Sequence, residues 1–120
     1  MTSRDLAITA ARAAAEKQAD DLLVLDVREL IVITDFFVIA SGATDRQART
    51  IAEEIERELR EHDRKPIRRE GVREGRWILL DYGDLVAHIF HEEEREYYGL
   101  ERLWMDAPVV QWDARAASNG

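Results

Sequence analysis

A strand that leads directly into a well-defined helix start is the feature that most constrains this chain. Phe36–Ala40 is an apolar run rich in aromatic and β-branched residues, which predicts a buried strand. Ser41 and Gly42 end the run, and Thr44 with Gln47 forms a capping-box pattern at a helix start. A buried strand that turns at once into a helix indicates a sheet with helices packed over it.

The helix that follows has the clearest pattern in the chain. Its apolar residues recur at helical spacing, at Ala48, Ile51, Ala52, Ile55 and Leu59. Glutamates and arginine occupy the rest of its surface, which is the pattern of an amphipathic helix packed on a core. We expect this helix to end near His62, ahead of Pro66.

Shorter patterns predict the other elements. Alanine-rich Asp5–Ala19 predicts a first helix capped by Thr2 or Ser3, with Asp20-Asp21 breaking the pattern after it. The other predicted strands are Leu22–Leu25 (covered on both faces), Ile67–Glu70 (a polar edge), Trp77–Leu80 and Leu85–Phe90, and a last helix covers Glu93–Trp104. For Val27–Thr34, a loop and an extended segment at Ile31–Ile33 both remain open.

The resulting order, α-β-β-α-β-β-β-α, predicts an α/β fold. We expect a mixed five-stranded sheet with helices packed on its faces. The chain has 120 residues, enough for one domain with its own core. We assign residues 1–112 to that domain and predict a disordered tail over residues 113–120.

Composition narrows the classes of function. The chain has no cysteine, which excludes disulfides, thiol catalysis and cysteine-ligated zinc. It has no apolar run of transmembrane length and no secretory signal at its start, so a cytoplasmic protein without a membrane is expected. Its net charge of −8 argues against broad nucleic-acid binding. The charge suits a basic partner, although solubility alone also explains it.

The turn at Ser41–Thr44 is a candidate nucleotide site, because amides at a helix start attract phosphate. Nucleotidyltransferases place metal-binding carboxylates on the next strand to hold the triphosphate. Here helical residues follow the turn, and Asp81 and Asp84 lack the required spacing. A structural turn and helix cap is therefore the favoured interpretation, and we expect no cofactor and no catalysis.

His88, His91 and Glu92 invite comparison with a metal site. On a strand, His88 and His91 lie on opposite faces, because side chains alternate with a period of two. Zinc needs convergent ligands, so we expect no metal there. The carboxylates of Glu92–Glu96 are explained by the helix dipole, since they occupy the first turn of the predicted helix.

Aromatic residues are concentrated near the end of the chain. Trp77, Tyr82, Tyr97, Tyr98 and Trp104 lie within 28 positions of a chain that is 8% aromatic. Core packing explains any one of them. Tryptophan and tyrosine are also enriched at the centres of protein interfaces, so a binding surface is the alternative. In the last helix, Tyr97, Leu100, Leu103 and Trp104 are predicted to form one stripe.

These segments together resemble the ribosomal silencing factor (Iojap-like) family. The matching blocks are Thr34–Gly42, Asp45–Gln47 through Ile51-Ala52, Arg69–Gly71, Trp77–Asp84, Val86–His88, and Glu94–Tyr98 through Leu100–Trp104. The most specific combination is Trp-x-x-x-Asp-x-Gly-Asp-x-x-x-His followed by Leu-Glu-Arg-Leu-Trp. The chain departs from the pattern at Ile31–Ile33, at Gly99, where an acidic residue is usual, and after Trp104.

The resemblance implies a nucleotidyltransferase-like fold that lacks the catalytic residues. It further implies a translational repressor that binds the large ribosomal subunit through the fourteenth large-subunit protein at the intersubunit face. Bound there, the protein would block joining of the small subunit, and it would form a homodimer when free. Direct nucleic-acid readout is not expected. The alternatives are a nucleotide-binding or nucleotidyltransferase-like enzyme and a large-subunit assembly factor.

We predict that the partner-binding surface centres on the strand that begins with Trp77. Strand alternation places Trp77, Leu79 and Asp81 on one face. The remaining predicted contact residues are Tyr82 and Asp84 in the turn and His88 on the following strand.

Overall fold

A computed structural model describes residues 1–113, so residues 114–120 of the predicted tail lie outside the described range. The helices are α1 (Ser3–Glu16), α2 (Asp45–Arg60), α3 (Glu92–Tyr98) and α4 (Leu100–Leu103). The strands are β1 (Asp20–Asp26), β2 (Phe36–Gly42), β3 (Arg68–Glu70), β4 (Trp77–Asp81) and β5 (Leu85–His91). The predicted α/β class with a mixed five-stranded sheet is confirmed.

The strands are arranged in the order β1-β2-β5-β4-β3. Among residues 1–113, β2 and β5 pair in parallel, and the other three strand pairings are antiparallel. Both parallel strands have a neighbouring strand on each side, and every residue of β2 is buried. The polar strand β3 lies at an edge, as its arginines and glutamate predicted.

The main core lies between the sheet and helices α1 and α2. Leu6, Ala10 and Ala14 of α1 are fully buried, and the small alanine side chains allow the helix backbone to pack closely. The predicted apolar stripe of α2 is buried as well. In the described part of the chain, no helix is long and apolar enough to cross a membrane.

Both long helices begin with a threonine cap. Thr2 accepts a hydrogen bond from the Asp5 amide, and the Asp5 carboxylate accepts one from the Thr2 amide, which is a complete capping box. Thr44 caps α2 by accepting from the Gln47 amide. The predicted return bond differs, because the Gln47 side-chain oxygen accepts from the amide of Ala43, one residue before the cap.

Strand β1 extends beyond the predicted Leu22–Leu25 at both ends. Asp20 and Asp21 were expected to break the chain, but they belong to the strand, which is irregular between Asp20 and Leu23. The strand also lies at an edge of the sheet. The C-terminal segment covers this edge, because Val109 bridges to Leu25 and the Val110 amide donates to the Val24 carbonyl.

The segment between β1 and β2 forms a loop, so the extended alternative for Ile31–Ile33 is wrong. The Val27 carbonyl accepts hydrogen bonds from the amides of Leu30 and Ile31, which closes a turn. Val32 and Ile33 project into solvent.

The predicted last helix is interrupted at Gly99, so its single apolar stripe is also wrong. Gly99 has φ of +52°, a left-handed conformation that glycine adopts without steric cost, and its amide donates to the Arg95 carbonyl. The chain therefore changes direction between α3 and α4. Tyr97 and Leu103 become exposed, whereas Trp104 stays partly buried.

A second hydrophobic cluster lies on the opposite face of the sheet from α1 and α2. Its buried members are Leu25, Val27, Phe37, Ile39, Phe90 and Ala107. Leu100 and Trp104, from α4 and the residue after it, pack against this cluster. Helices α1 and α2 lie on the other side of the sheet. The helices on this face, α3 and α4, are short and cover only part of it.

Gly71, in the turn after β3, lies close to the backbone of β4. It has φ of +73°, and a Cβ atom there would lie 2.0 Å from the Trp77 carbonyl oxygen. At Gly99 an added Cβ would meet only the flexible end of Arg102. Gly99→Ala should therefore lower the free energy of unfolding by about 1–2 kcal/mol, the usual cost of a left-handed residue.

Gly71→Ala should lower the free energy of unfolding by a further 1–3 kcal/mol or so, because backbone atoms must move to relieve the clash. Urea unfolding of the two variants at the same pH measures this difference. Equal losses of stability would show that the β3–β4 turn has room to shift.

Candidate functional site

The part of the sheet face left uncovered by α3 and α4 carries a mixed aromatic and charged surface. Along β4, Trp77, Leu79 and Asp81 are partly exposed, whereas Ile78 and Leu80 between them are fully buried in the main core. The prediction that the first three residues share one face is confirmed.

Trp77 is held in place on three sides. Its ring lies 4.9 Å from the ring of Phe90 and 4.8 Å from the ring of Tyr98, measured between centroids. Its indole Nε1 donates a hydrogen bond of 3.2 Å to Nδ1 of His88. The side chain is therefore fixed in orientation while part of it stays accessible to a partner.

His88 lies beneath Trp77. Its side chain is nearly buried, with 6% exposure, and the Phe37 ring meets it edge-on at a centroid distance of 5.1 Å. Because Nδ1 accepts the hydrogen bond from Trp77, the neutral imidazole carries its proton on Nε2. Burial lowers the pKa of His88 to about 4, so the ring is neutral at pH 7. It supports the exposed surface from below.

Tyr82 does not lie on the predicted surface. It is 2% exposed and belongs to the main core on the helix side of the sheet. It follows Asp81 by one residue, so its side chain points to the opposite face. Burial raises the pKa of the phenol well above its ordinary value.

The two turn carboxylates have separate structural partners. Asp81 accepts a hydrogen bond of 2.8 Å from the Gly83 amide, which stabilises the turn between β4 and β5. Asp84 accepts one of 2.7 Å from Arg64. Asp81 keeps part of its carboxylate exposed beside Leu79, so it contributes negative charge to the surface.

Strand β3 adds two residues that the sequence did not single out. Arg68 pairs with Asp81 in the β3–β4 register and Glu70 pairs with Leu79, so both side chains lie on the face of Trp77. The Arg68 guanidinium lies 3.0 Å from the Glu70 carboxylate and 3.7 Å from that of Asp81. Alternation along the predicted edge strand places Arg68 and Glu70 on one face. Which face this is depends on the register with β4, which the sequence alone does not give.

We call this surface the Trp77 patch and define it by Trp77, Leu79, Asp81, Arg68 and Glu70. A shallow pocket of about 350 Å³ opens in it between Glu70, Gly71, Trp77 and Leu79. The patch thus combines an immobilised indole, an adjacent depression and charges of both signs. Such a surface can bind another macromolecule.

The candidate nucleotide turn at Ser41–Thr44 is occupied by the protein itself. The Ser41 hydroxyl donates to the Asp20 carbonyl at 3.1 Å. The Ala43 amide donates to the side-chain oxygen of Gln47, and the Gln47 amide donates to the hydroxyl of Thr44. Two of the amides that a phosphate group could bind at this helix start are therefore already engaged.

The histidines are separated as the sequence indicated. His91 faces the helix side, 4.0 Å from the Asp45 carboxylate, and caps α3 by accepting from the Glu93 amide. Within residues 1–113, no three histidine, aspartate or glutamate side chains are grouped to hold a metal ion. The carboxylates of Glu93 and Glu94 pair with Arg76, which ties the start of α3 to β4.

Comparisons with known proteins identify the family. The model of a family described as "Ribosomal silencing factor during starvation" matches residues 1–120. The ribosomal silencing factor RsfS of Bacillus subtilis is 41% identical over 113 residues, covering 94% of this chain and 96% of the relative.

Two solved structures share the fold. A protein from Chromobacterium violaceum superposes with a TM-score of 0.84 at 29% identity, covering 87% of each chain. A protein from Bacillus halodurans gives a TM-score of 0.75 at 37% identity, covering 86% of this chain and 93% of its own. The family match spans residues 1–120, and the two structural matches cover 87% and 86% of the chain. The chain therefore belongs to the ribosomal silencing factor family.

Proposed function

We propose that this protein represses translation by binding the large ribosomal subunit and blocking the small subunit from joining it. The proposed contact is the fourteenth protein of the large subunit, at the intersubunit face, and the proposed location is the cytoplasm. Membership of the ribosomal silencing factor family supports the process. The single observation that carries the binding surface is Trp77, which is partly exposed yet fixed by Phe90, Tyr98 and His88.

Preorganisation makes Trp77 suited to this role. An indole already held in one orientation loses little conformational entropy on binding, and tryptophan is enriched among the residues that dominate binding energy at interface centres. The neighbouring pocket beside Leu79 can accept a side chain of the partner. A standard interface buries about 800 Å² on each partner, so the patch would form its centre and neighbouring residues its rim.

Repression then requires no chemistry. The folded chain measures 33 × 32 × 32 Å along its principal axes. A rigid body of that size, bound where two subunits meet, separates surfaces that must approach to contact distance. The bound protein would thus act as a steric block.

Self-association of the free protein is a further proposal. Tyr97, Leu103 and Met105 are largely exposed around α3 and α4, and a second copy could cover them. This surface borders the Trp77 patch through Tyr98, which contacts Trp77.

Trp77→Ala should weaken binding to purified large subunits by at least thirtyfold, equivalent to about 2 kcal/mol, as central interface aromatics do. Co-sedimentation at several subunit concentrations measures the change. The matched control is Trp112→Ala, which removes a partly buried indole packed against the main core on the helix side.

Thermal unfolding of both tryptophan variants separates binding from folding. Because Trp77 is only partly buried, its loss should cost less than the roughly 3–5 kcal/mol of a fully buried tryptophan. A folded Trp77→Ala protein that co-sediments like the wild type would place the interface elsewhere.

Asp81→Asn tests whether the patch meets a basic partner. The amide oxygen can still accept from Gly83, so the turn is kept while the charge is removed. Binding to large subunits should weaken at low salt, and the difference should shrink as salt screens the charge. Glu16→Gln, at an exposed position at the end of α1, makes the same change in net charge away from the patch. Equal salt curves for the two variants would count against a basic partner.

Acid should release Trp77, because a protonated His88 has no free Nδ1 lone pair to accept the indole proton. The folded pKa of His88, about 4, lies below its ordinary value of 6.5. The unfolded chain therefore binds the proton more readily. The stabilisation is complete above pH 6.5 and is lost as pH falls toward 4, by about 3 kcal/mol in total.

Urea unfolding of the wild type and of His88→Gln between pH 4 and 7 measures this contribution. Glutamine does not titrate, so the unfolding free energy of the His88→Gln variant should depend less steeply on pH than that of the wild type. Parallel curves would show that folding does not lower the pKa of His88.

A further inference from the structure

Positive charge is concentrated at one edge of this acidic protein. Residues 60–69 carry five arginines or lysines and two acidic residues, a formal charge of +3, whereas the whole chain carries −8. We call this segment the basic edge and define it by Arg60, Arg64, Lys65, Arg68 and Arg69. It runs from the end of α2 through the loop into β3, the outermost strand.

Some of these charges are already neutralised inside the fold. Arg64 pairs with Asp84, and Arg69 pairs with Glu56 of α2. Arg60 and Lys65 differ from them. Both side chains are exposed, and neither forms a hydrogen bond or ion pair with any other residue in the described part of the chain. Their positive charge is available to a partner.

Arg60 and Lys65 share an open groove. It holds about 460 Å³ and is lined by Glu56, Arg60, Lys65, Pro66 and Arg69. The carboxylate of Glu56, the only acidic group in this lining, is engaged by the guanidinium of Arg69 through both of its oxygens. The groove is therefore bordered by two free cations and an internally balanced pair, which gives it a net positive potential.

We propose that this groove binds the sugar–phosphate backbone of ribosomal RNA next to the protein contact made by the Trp77 patch. This inference rests on the ribosome binding proposed above. Phosphate oxygens match what the groove offers, because arginine and lysine are the principal phosphate ligands and the site is open enough for a continuous strand. An acidic protein segment is the alternative partner, and the test below distinguishes it.

The position of β3 makes both contacts possible at once. Arg68 points to the face of the Trp77 patch, whereas Arg69 points to the helix side and the groove. Adjacent residues of one strand thus border the two surfaces. A subunit surface on which protein and RNA lie side by side could engage both. The proposed contact depends on the charge of the RNA backbone and not on the base sequence, because the cations that border the groove interact with phosphate groups.

The double variant Arg60→Gln/Lys65→Gln tests the proposal against the control Arg4→Gln/Arg46→Gln, which removes the same charge from exposed positions on α1 and the first turn of α2. Affinity for large subunits is measured between about 50 and 300 mM KCl. Loss of two phosphate contacts should weaken binding roughly tenfold near 100 mM and reduce the slope of log K against log salt by about 2. The control should follow the wild type.

A second measurement identifies the partner. Fluorescence anisotropy with a 16-base-pair RNA duplex at low salt should show binding by the wild type and the control, and weaker binding by the double variant. Subunit affinity and salt slope unchanged in the double variant would overturn the proposal. So would a loss of subunit binding without any wild-type affinity for the duplex, which would indicate an acidic protein segment. Wild-type protein that binds the duplex but not large subunits would refute the proposed function and leave RNA binding standing.

Discussion

The parallel pairing of β2 with β5 is the constraint on which the rest of the structure depends. Both strands are buried almost throughout, so each must be covered on two faces. Helices α1 and α2 cover one face with a large aliphatic core. Among residues 1–113, the other face is covered by the short helices α3 and α4 together with Val27, Ile31 and Ala107, and these leave β4 and β3 partly open. The position of the Trp77 patch follows from this unequal covering.

Strand β5 of this pair also determines the contacts beneath the patch, through its antiparallel pairing with β4. His88 and Phe90 of β5 lie on the less covered face, where they meet Trp77 from the neighbouring strand β4. A histidine buried there is kept neutral by desolvation, and its lone pair satisfies the indole N–H, which would otherwise be partly buried without an acceptor. Trp77 at the surface is thus held in place by buried residues of β5.

The sequence predicted the elements whose patterns are local. The apolar run at Phe36, the threonine cap at Thr44 and the helical spacing through Leu59 each depend on neighbours a few residues apart, and all three were confirmed. The shared face of Trp77, Leu79 and Asp81 follows from alternation alone. The same rule applied past the strand end would have placed Tyr82 inward.

What the sequence did not predict depends on distant partners. The break at Gly99 was hidden because the apolar residues on both sides still fit a helical period, and glycine within a helix costs only about 1 kcal/mol. The place of His88 beneath Trp77 needed the register between β4 and β5. Net charge sums over the whole chain, whereas a partner responds to the local potential. An acidic chain can therefore carry a basic edge, because residues 60–69 hold five basic residues and lead into the outermost strand, whereas most acidic residues lie elsewhere in the chain.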